Sequence, residues 1–248
     1  LKDYSISYNT SATLWKEMEQ FNNNKGKFTW VGFAPDYSST GHVALTGLKN
    51  SVEEIGKLAS EIRGSKYVGQ EASKINFIDV INKQSLVQFA GHCIINDNDA
   101  DSSFLAFSND GKNTESWKLS VNEIYGIHVN SKYLVLSACQ TGTGILKKGE
   151  GIMSLSRAFA YAGASSILST LWKVDDKYSY ALMSGLYKNL DKGLSKDQAL
   201  RQAKLDFIAN GSNASAHPFN WGPFATLGNT QGIKIDKLPK DYTLYYIL

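Results

Sequence analysis

Ser85-Leu86-Val87-Gln88-Phe89-Ala90-Gly91-His92 and Tyr133-Leu134-Val135-Leu136-Ser137-Ala138-Cys139 are the two stretches on which the fold turns. Each reads as a buried strand that stays apolar for most of its length and stops at a chemically capable side chain. The chain between them is long enough for a loop, a short helix and a return into the same sheet. As parallel neighbours, the two strands bring His92 and Cys139 together at the sheet's carboxyl edge, where open α/β sheets place their ligands and chemistry. The chemistry this suggests is thiol-dependent hydrolysis.

Outward from this pair, strands and helices alternate. Residues 28–33 read as a first strand ending at Ala34-Pro35-Asp36, followed by a Ser-, Thr- and Gly-rich surface loop over 35–47. Ser51-Val52-Glu53-Glu54 opens a helix that Gly64 stops, with Val52, Ile55, Leu58, Ala59 and Ile62 at helical spacing. A weak strand (66–69) and a helix (73–82) precede the histidine strand. Beyond it, 96–103 is polar and reads as mobile. Residues 104–107 and 117–119 flank an Asn109-Asp110-Gly111 turn as a small hairpin. Ser120-Val121-Asn122-Glu123 is a capping box. After the cysteine come a glycine-rich basic loop (140–149), a helix (150–162) and a strand (165–172). A helix capped by Asp175 or Asp176 runs to Leu190, a second capping box at Ser195-Lys196-Asp197-Gln198 opens another, and 224–227 closes the sheet. The pattern predicts an α/β fold, a mostly parallel central sheet with helices on both faces. The expected organisation is one domain over 1–232 and a C-terminal extension over 233–248, whose apolar end reads either as a small edge strand or as the start of a segment cut off.

The 248-residue chain carries a net charge of +3 with acids and bases interspersed, so no basic stripe points to nucleic acid. No apolar run approaches the roughly 18 to 20 residues of a membrane span. The sequence begins at Leu1 without a signal-peptide pattern, as expected of an excised domain or processed fragment. Two cysteines are too few for a disulfide framework and suggest a reducing, cytoplasmic compartment. Neither they nor His42, His92, His128 and His217 fall into metal-ligand spacing, so no metal or other cofactor is expected.

The ordered series Gln88-Phe89-Ala90-Gly91-His92, Leu134-Val135-Leu136-Ser137-Ala138-Cys139-Gln140-Thr141-Gly142, Gly149-Glu150-Gly151, Arg157-Ala158-Phe159, Tyr161-Ala162-Gly163-Ala164 and Ser169-Thr170-Leu171-Trp172-Lys173-Val174-Asp175-Asp176 resembles the CHAT family. His217-Pro218, Trp221 and Phe224 continue the likeness, which covers roughly 1 to 230. That family belongs to the caspase-like cysteine peptidases, with separases and metacaspases. The resemblance implies a caspase-like fold and a cysteine endopeptidase working through a Cys139–His92 dyad on a protein substrate. It further implies latency until an activating or sensor protein outside this fragment acts; no membrane or nucleic acid is implicated. The alternative is a catalytically silent interaction module that keeps the peptidase fold.

Each candidate residue has a plainer reading beside the chemical one. A free cysteine is among the most often buried residue types, and a reactive one needs a base or positive field nearby. His92 supplies that base by position. The resemblance assigns the oxyanion donors to the backbone N–H groups of Cys139 and Cys93, the latter standing where the family usually has glycine. It also places Asp175 and Asp176 at the pocket for the residue before the scissile bond, where two acids suit a lysine or arginine. An acid at a helix start equally serves as a cap. Glu150 reads as structural, as does His217.

Overall fold

The computed structural model describes residues 1–20, 27–37, 49–83, 85–96, 99–109, 116–137, 139–140, 150–172 and 174–239, with backbone alone at 27, 49, 100, 139–140, 150–154 and 176. The expected turn at 110–111, most of the 35–47 loop with His42, the 141–149 loop and the end of the C-terminal extension lie outside these residues.

The chain opens with an unforeseen helix, α1 (Ala12–Gln20), whose first turn is held by Ser11 Oγ accepting from the Leu14 N–H at 3.1 Å. β1 (Lys27–Pro35), α2 (Lys49–Ile62), β2 (Ser65–Gly69), α3 (Lys74–Ile81) and β3 (Ser85–Phe89) follow. β4 (His92–Ile94), β5 (Phe104–Ala106), β6 (Lys118–Ser120) and α4 (Val121–Tyr125) make a short excursion before β7 (Tyr133–Leu136) and β8 (Cys139–Gln140). α5 (Glu150–Tyr161), β9 (Ser166–Thr170), α6 (Asp176–Asp191), α7 (Lys196–Asn210), α8 (Pro218–Trp221), β10 (Phe224–Gly228) and β11 (Lys234–Ile235) complete the order.

Among the described residues, seven strands form the main sheet in the order β10-β9-β7-β3-β1-β11, with β2 also on β1. Every pairing in it is parallel except β10 on β9. Period-two alternation sorts the strand side chains into two cores. Phe33, Val87, Phe89, Leu134 and Leu136 pack with α1, α3, α4 and α5 on one face. Trp30, Leu86, Tyr133, Val135 and Leu168 pack with α2, α6 and α7 on the other. Lys234 and Ile235, expected in the C-terminal extension, pair with Lys27 and Phe28 at the sheet's edge.

Local chemistry departs from expectation at α2. The helix begins at Lys49, so Ser51 lies inside it. Its end is made by Arg63 at φ 57°, while Gly64 serves close packing: a Cβ there would sit 2.6 Å from the Trp30 carbonyl oxygen. The capping box at Ser120 and Glu123 forms as read. In the polar 96–103 stretch, of which 97–98 lie outside the described residues, Ala100–Ser102 forms a 3-10 turn and the Asn96 N–H donates to buried Ser103 Oγ at 3.0 Å.

The face carrying α7 buries two lysines. Lys196 donates to the Asn229 carbonyl at 3.2 Å and lies 5.6 Å from the centre of the Tyr133 ring. Desolvation pushes its ammonium pKa down to about 7, opposed by Glu19 and reinforced by Lys132. Lys204 donates to the Phe224 carbonyl at 2.7 Å, and burial pushes it down to about 8.

Candidate active site

Neither of the two decisive strands runs unbroken, as the sequence had suggested. β3 ends at Phe89 and the chain resumes as β4 at His92; β7 ends at Leu136 and resumes as β8 at Cys139. The resumed segments belong to a second sheet of four strands, ordered β6-β5-β4-β8, at the carboxyl edge of the first. The reason is that buried strands of the main sheet and the short strands beyond it share one apolar pattern, so hydrophobicity does not mark the switch. The pairing nevertheless carries through it. Phe89 partners Leu136 in the main sheet, and at the same offset His92 partners Cys139 and Cys93 partners Gln140, again in parallel.

Hydrogen bonds pin both switch points. The Ala90 N–H donates to the Phe33 carbonyl at 2.8 Å. Ser137 donates to the Phe89 carbonyl through its N–H at 3.1 Å and its hydroxyl at 3.3 Å. Gly91 has no room for a side chain, because a Cβ would lie 2.5 Å from Phe89 Cζ and 2.6 Å from Tyr37 Oη. The His92 N–H donates to that Tyr37 hydroxyl at 2.8 Å, and the two rings stand 4.6 Å apart at 49°. His92 is 2% exposed.

Beneath the edge runs a buried polar chain. Gln88, on the α2 and α6 face, donates to Glu54 Oε1 at 2.9 Å and to Ser137 Oγ at 3.3 Å, and accepts from the Tyr187 hydroxyl at 2.8 Å. Ser179 Oγ also donates to Glu54, at 3.4 Å. A polar residue at the centre of a sheet is stable only when bonded in this way. The chain ties α2 and α6 to the residue where β7 gives way to β8.

Cys93 is buried in the ladder between Leu105 and Gln140, and desolvation pushes its thiol up to about 12. Its sulfur is therefore unsuited to act as a nucleophile near neutrality. Asp175 caps α6, accepting from the Lys177 N–H at 2.9 Å, which is the plainer of its two readings. It also lines a cleft of about 230 Å³ with Asn50, Glu53, Glu54, Lys57 and Tyr180, between the starts of α2 and α6. Asp176 is the first residue of α6. His217 caps α8 through Nδ1, and His128 is exposed. Among the described residues no cluster could hold a metal ion, and no helix is long and apolar enough to cross a membrane. Tyr37, Glu54 and the hydrogen bonds by which Gln88 links Glu54, Ser137 and Tyr187 escaped the sequence reading. An aromatic residue directly after the first strand, at the edge where the chemistry was expected, was the one signal for Tyr37.

A mostly parallel sheet, flanked by helices and extended at its carboxyl edge by a histidine–cysteine pair of strands, defines the caspase-like class of α/β fold. Solved structures agree. The chain superposes on separase in the Saccharomyces cerevisiae separase–securin complex with a TM-score of 0.58 at 14% identity, covering 95% of this chain and 14% of that one. It matches the Arg-specific cysteine proteinase gingipain R with a TM-score of 0.55 at 11% identity, covering 90% and 53%. The CHAT domain family model matches residues 1–229, and the chain belongs to that family. A curated relative, Tetratricopeptide repeat protein 28 of Mus musculus, is 27% identical over 217 residues, 75% of this chain and 9% of its own length. The chain spans about a tenth of the length of the curated relatives it matches.

Proposed function

We propose that the protein is a caspase-like cysteine endopeptidase acting through Cys139 and His92. The observation that carries this reading is the register: His92 and Cys139 are cross-strand partners in a parallel ladder built beyond the main sheet's carboxyl edge. The burial and raised pKa of Cys93 leave Cys139 as the thiol for the task. In acylation the Cys139 thiolate attacks the peptide carbonyl carbon, forming the C–S bond. The oxyanion is received by the backbone N–H groups of Cys139 and Cys93. The C–N bond then breaks as His92 gives its proton to the leaving amine. Water then attacks the thioester carbon, His92 takes the water proton, the C–S bond breaks, and His92 passes that proton to the departing sulfur, restoring the thiol.

The burial of His92 supports latency, since a substrate reaches the imidazole only after local opening. A partner protein is the natural trigger, and the separase neighbour was solved with securin bound. Asp175 and Asp176 are assigned to the pocket for a lysine or arginine before the scissile bond; Asp175 lines the cleft with Glu53 and Glu54, and the Arg specificity of the gingipain neighbour favours this preference. An iodoacetamide probe tests the dyad. Cys139 is expected to label, labelling to vanish in Cys139→Ala, and its rate to fall in His92→Ala. Absence of labelling at Cys139, or a rate indifferent to His92→Ala, refutes the reading and favours a silent interaction module.

A further inference from the structure

We propose that Tyr37 is a positioning residue for His92, an inference that rests on the Cys139–His92 reading. Tyr37 lies just past the end of β1, where the two sheets meet, and is 2% exposed. Its hydroxyl accepts from the His92 N–H at 2.8 Å and donates to the Ala106 carbonyl at 3.0 Å. One side chain thereby ties the end of the main sheet to both β4 and β5. A phenol has one proton to give, and here it is committed to Ala106, which leaves the oxygen's lone pairs turned to His92. The same ring lies against the imidazole, 4.6 Å away and inclined at 49°.

The main chain at His92 and the plane of its ring are thus held by one group. Gly91 completes the arrangement, because any side chain there would intrude on the Tyr37 hydroxyl at 2.6 Å. Packing alone does not require this hydroxyl: the ring's apolar neighbours, Ala106 and Trp117, would be served equally by phenylalanine. A base that must meet its nucleophile in a narrow range of distances and angles gains rate from such a support.

The test is the pH profile of Cys139 alkylation by iodoacetamide, read by mass spectrometry from about pH 6 to about pH 10. At the alkaline end the thiol ionises unaided; at the acid end its reactivity depends on the imidazole. Tyr37→Phe keeps the ring and removes the hydroxyl. The ratio of the acid-limb to the alkaline-limb rate is expected to fall roughly tenfold, about the effect of one hydrogen bond, toward the His92→Ala profile. The alkaline rate stays at the wild-type value. A Tyr37→Phe profile that superimposes on wild type, when His92→Ala does not, overturns the positioning role alone. A His92→Ala profile that superimposes on wild type overturns the dyad beneath it. Whether or not the variant folds, the His92 amide of the wild-type protein is expected to exchange with deuterium as slowly as amides of the β4–β5 ladder. Exchange at the rate of an open amide overturns the bond on which the inference stands.

Discussion

Replacing Lys196 with methionine is expected to stabilise the protein, and by an amount that depends on pH in a defined way. The amine is fully buried, bonded to one carbonyl and set against the Tyr133 ring. Its pKa falls from 10.5 to about 7, chiefly through desolvation. A tenfold change in a proton-binding constant corresponds to about 1.4 kcal/mol, so a charged Lys196 penalises the folded state by about 5 kcal/mol below pH 7. Between about pH 7 and 10.5 the unfolded chain binds a proton that the folded chain has lost. Wild-type stability therefore rises with pH across that window as far as this group is concerned. Methionine, of similar length, removes the penalty and gives up the bond to Asn229, worth about 1 kcal/mol. The expected gain is about 3–4 kcal/mol at pH 6, shrinking to near zero or slightly negative by about pH 10. Urea unfolding of both proteins at a series of pH values measures the difference. A Lys196→Met variant less stable than wild type at pH 6, or a difference that does not change with pH, refutes the argument that desolvation dominates at this site.

Gly91→Ala is expected to destabilise by about 1–3 kcal/mol, since the added methyl meets Phe89 and Tyr37 at distances real Cβ atoms do not adopt. A melting temperature equal to wild type would show that the switch into the second sheet is looser than described. Asp175→Asn separates that residue's two readings. Asparagine caps as well as aspartate, so stability should hold within about 0.5 kcal/mol, whereas a preference for lysine or arginine in peptide-library cleavage should weaken. Unchanged preference leaves Asp175 as a cap only.

Much of the fold was legible because its main signals are local. Buried parallel strands give continuous apolar runs, and the capping box at Ser120 and Glu123 states where a helix begins. That the histidine and cysteine strands are parallel neighbours was legible too, because each is an apolar run that stops at a reactive residue; their exact register was not. Nor was the second sheet, since no residue pattern announces that pairing in the main sheet stops after Phe89 and Leu136, where the Ala90 and Ser137 N–H groups still bond back to Phe33 and Phe89. Lys196 sat inside a sequence that reads as an exposed helix start, and only tertiary packing buries it. Tyr37 and Glu54 are remote in sequence from the residues they touch, and remote contacts leave no periodic trace.

The two strands that leave the main sheet do so in step, each skipping two residues before pairing resumes. The intervals from Phe89 to His92 and from Leu136 to Cys139 are thus a matched pair of spacers. Lengthening one alone would slide a neighbour past its mate and, with side chains alternating between faces, turn the histidine or the cysteine away. Related chains should tolerate insertions throughout their outer loops yet hold these two spacers equal, changing both together or neither.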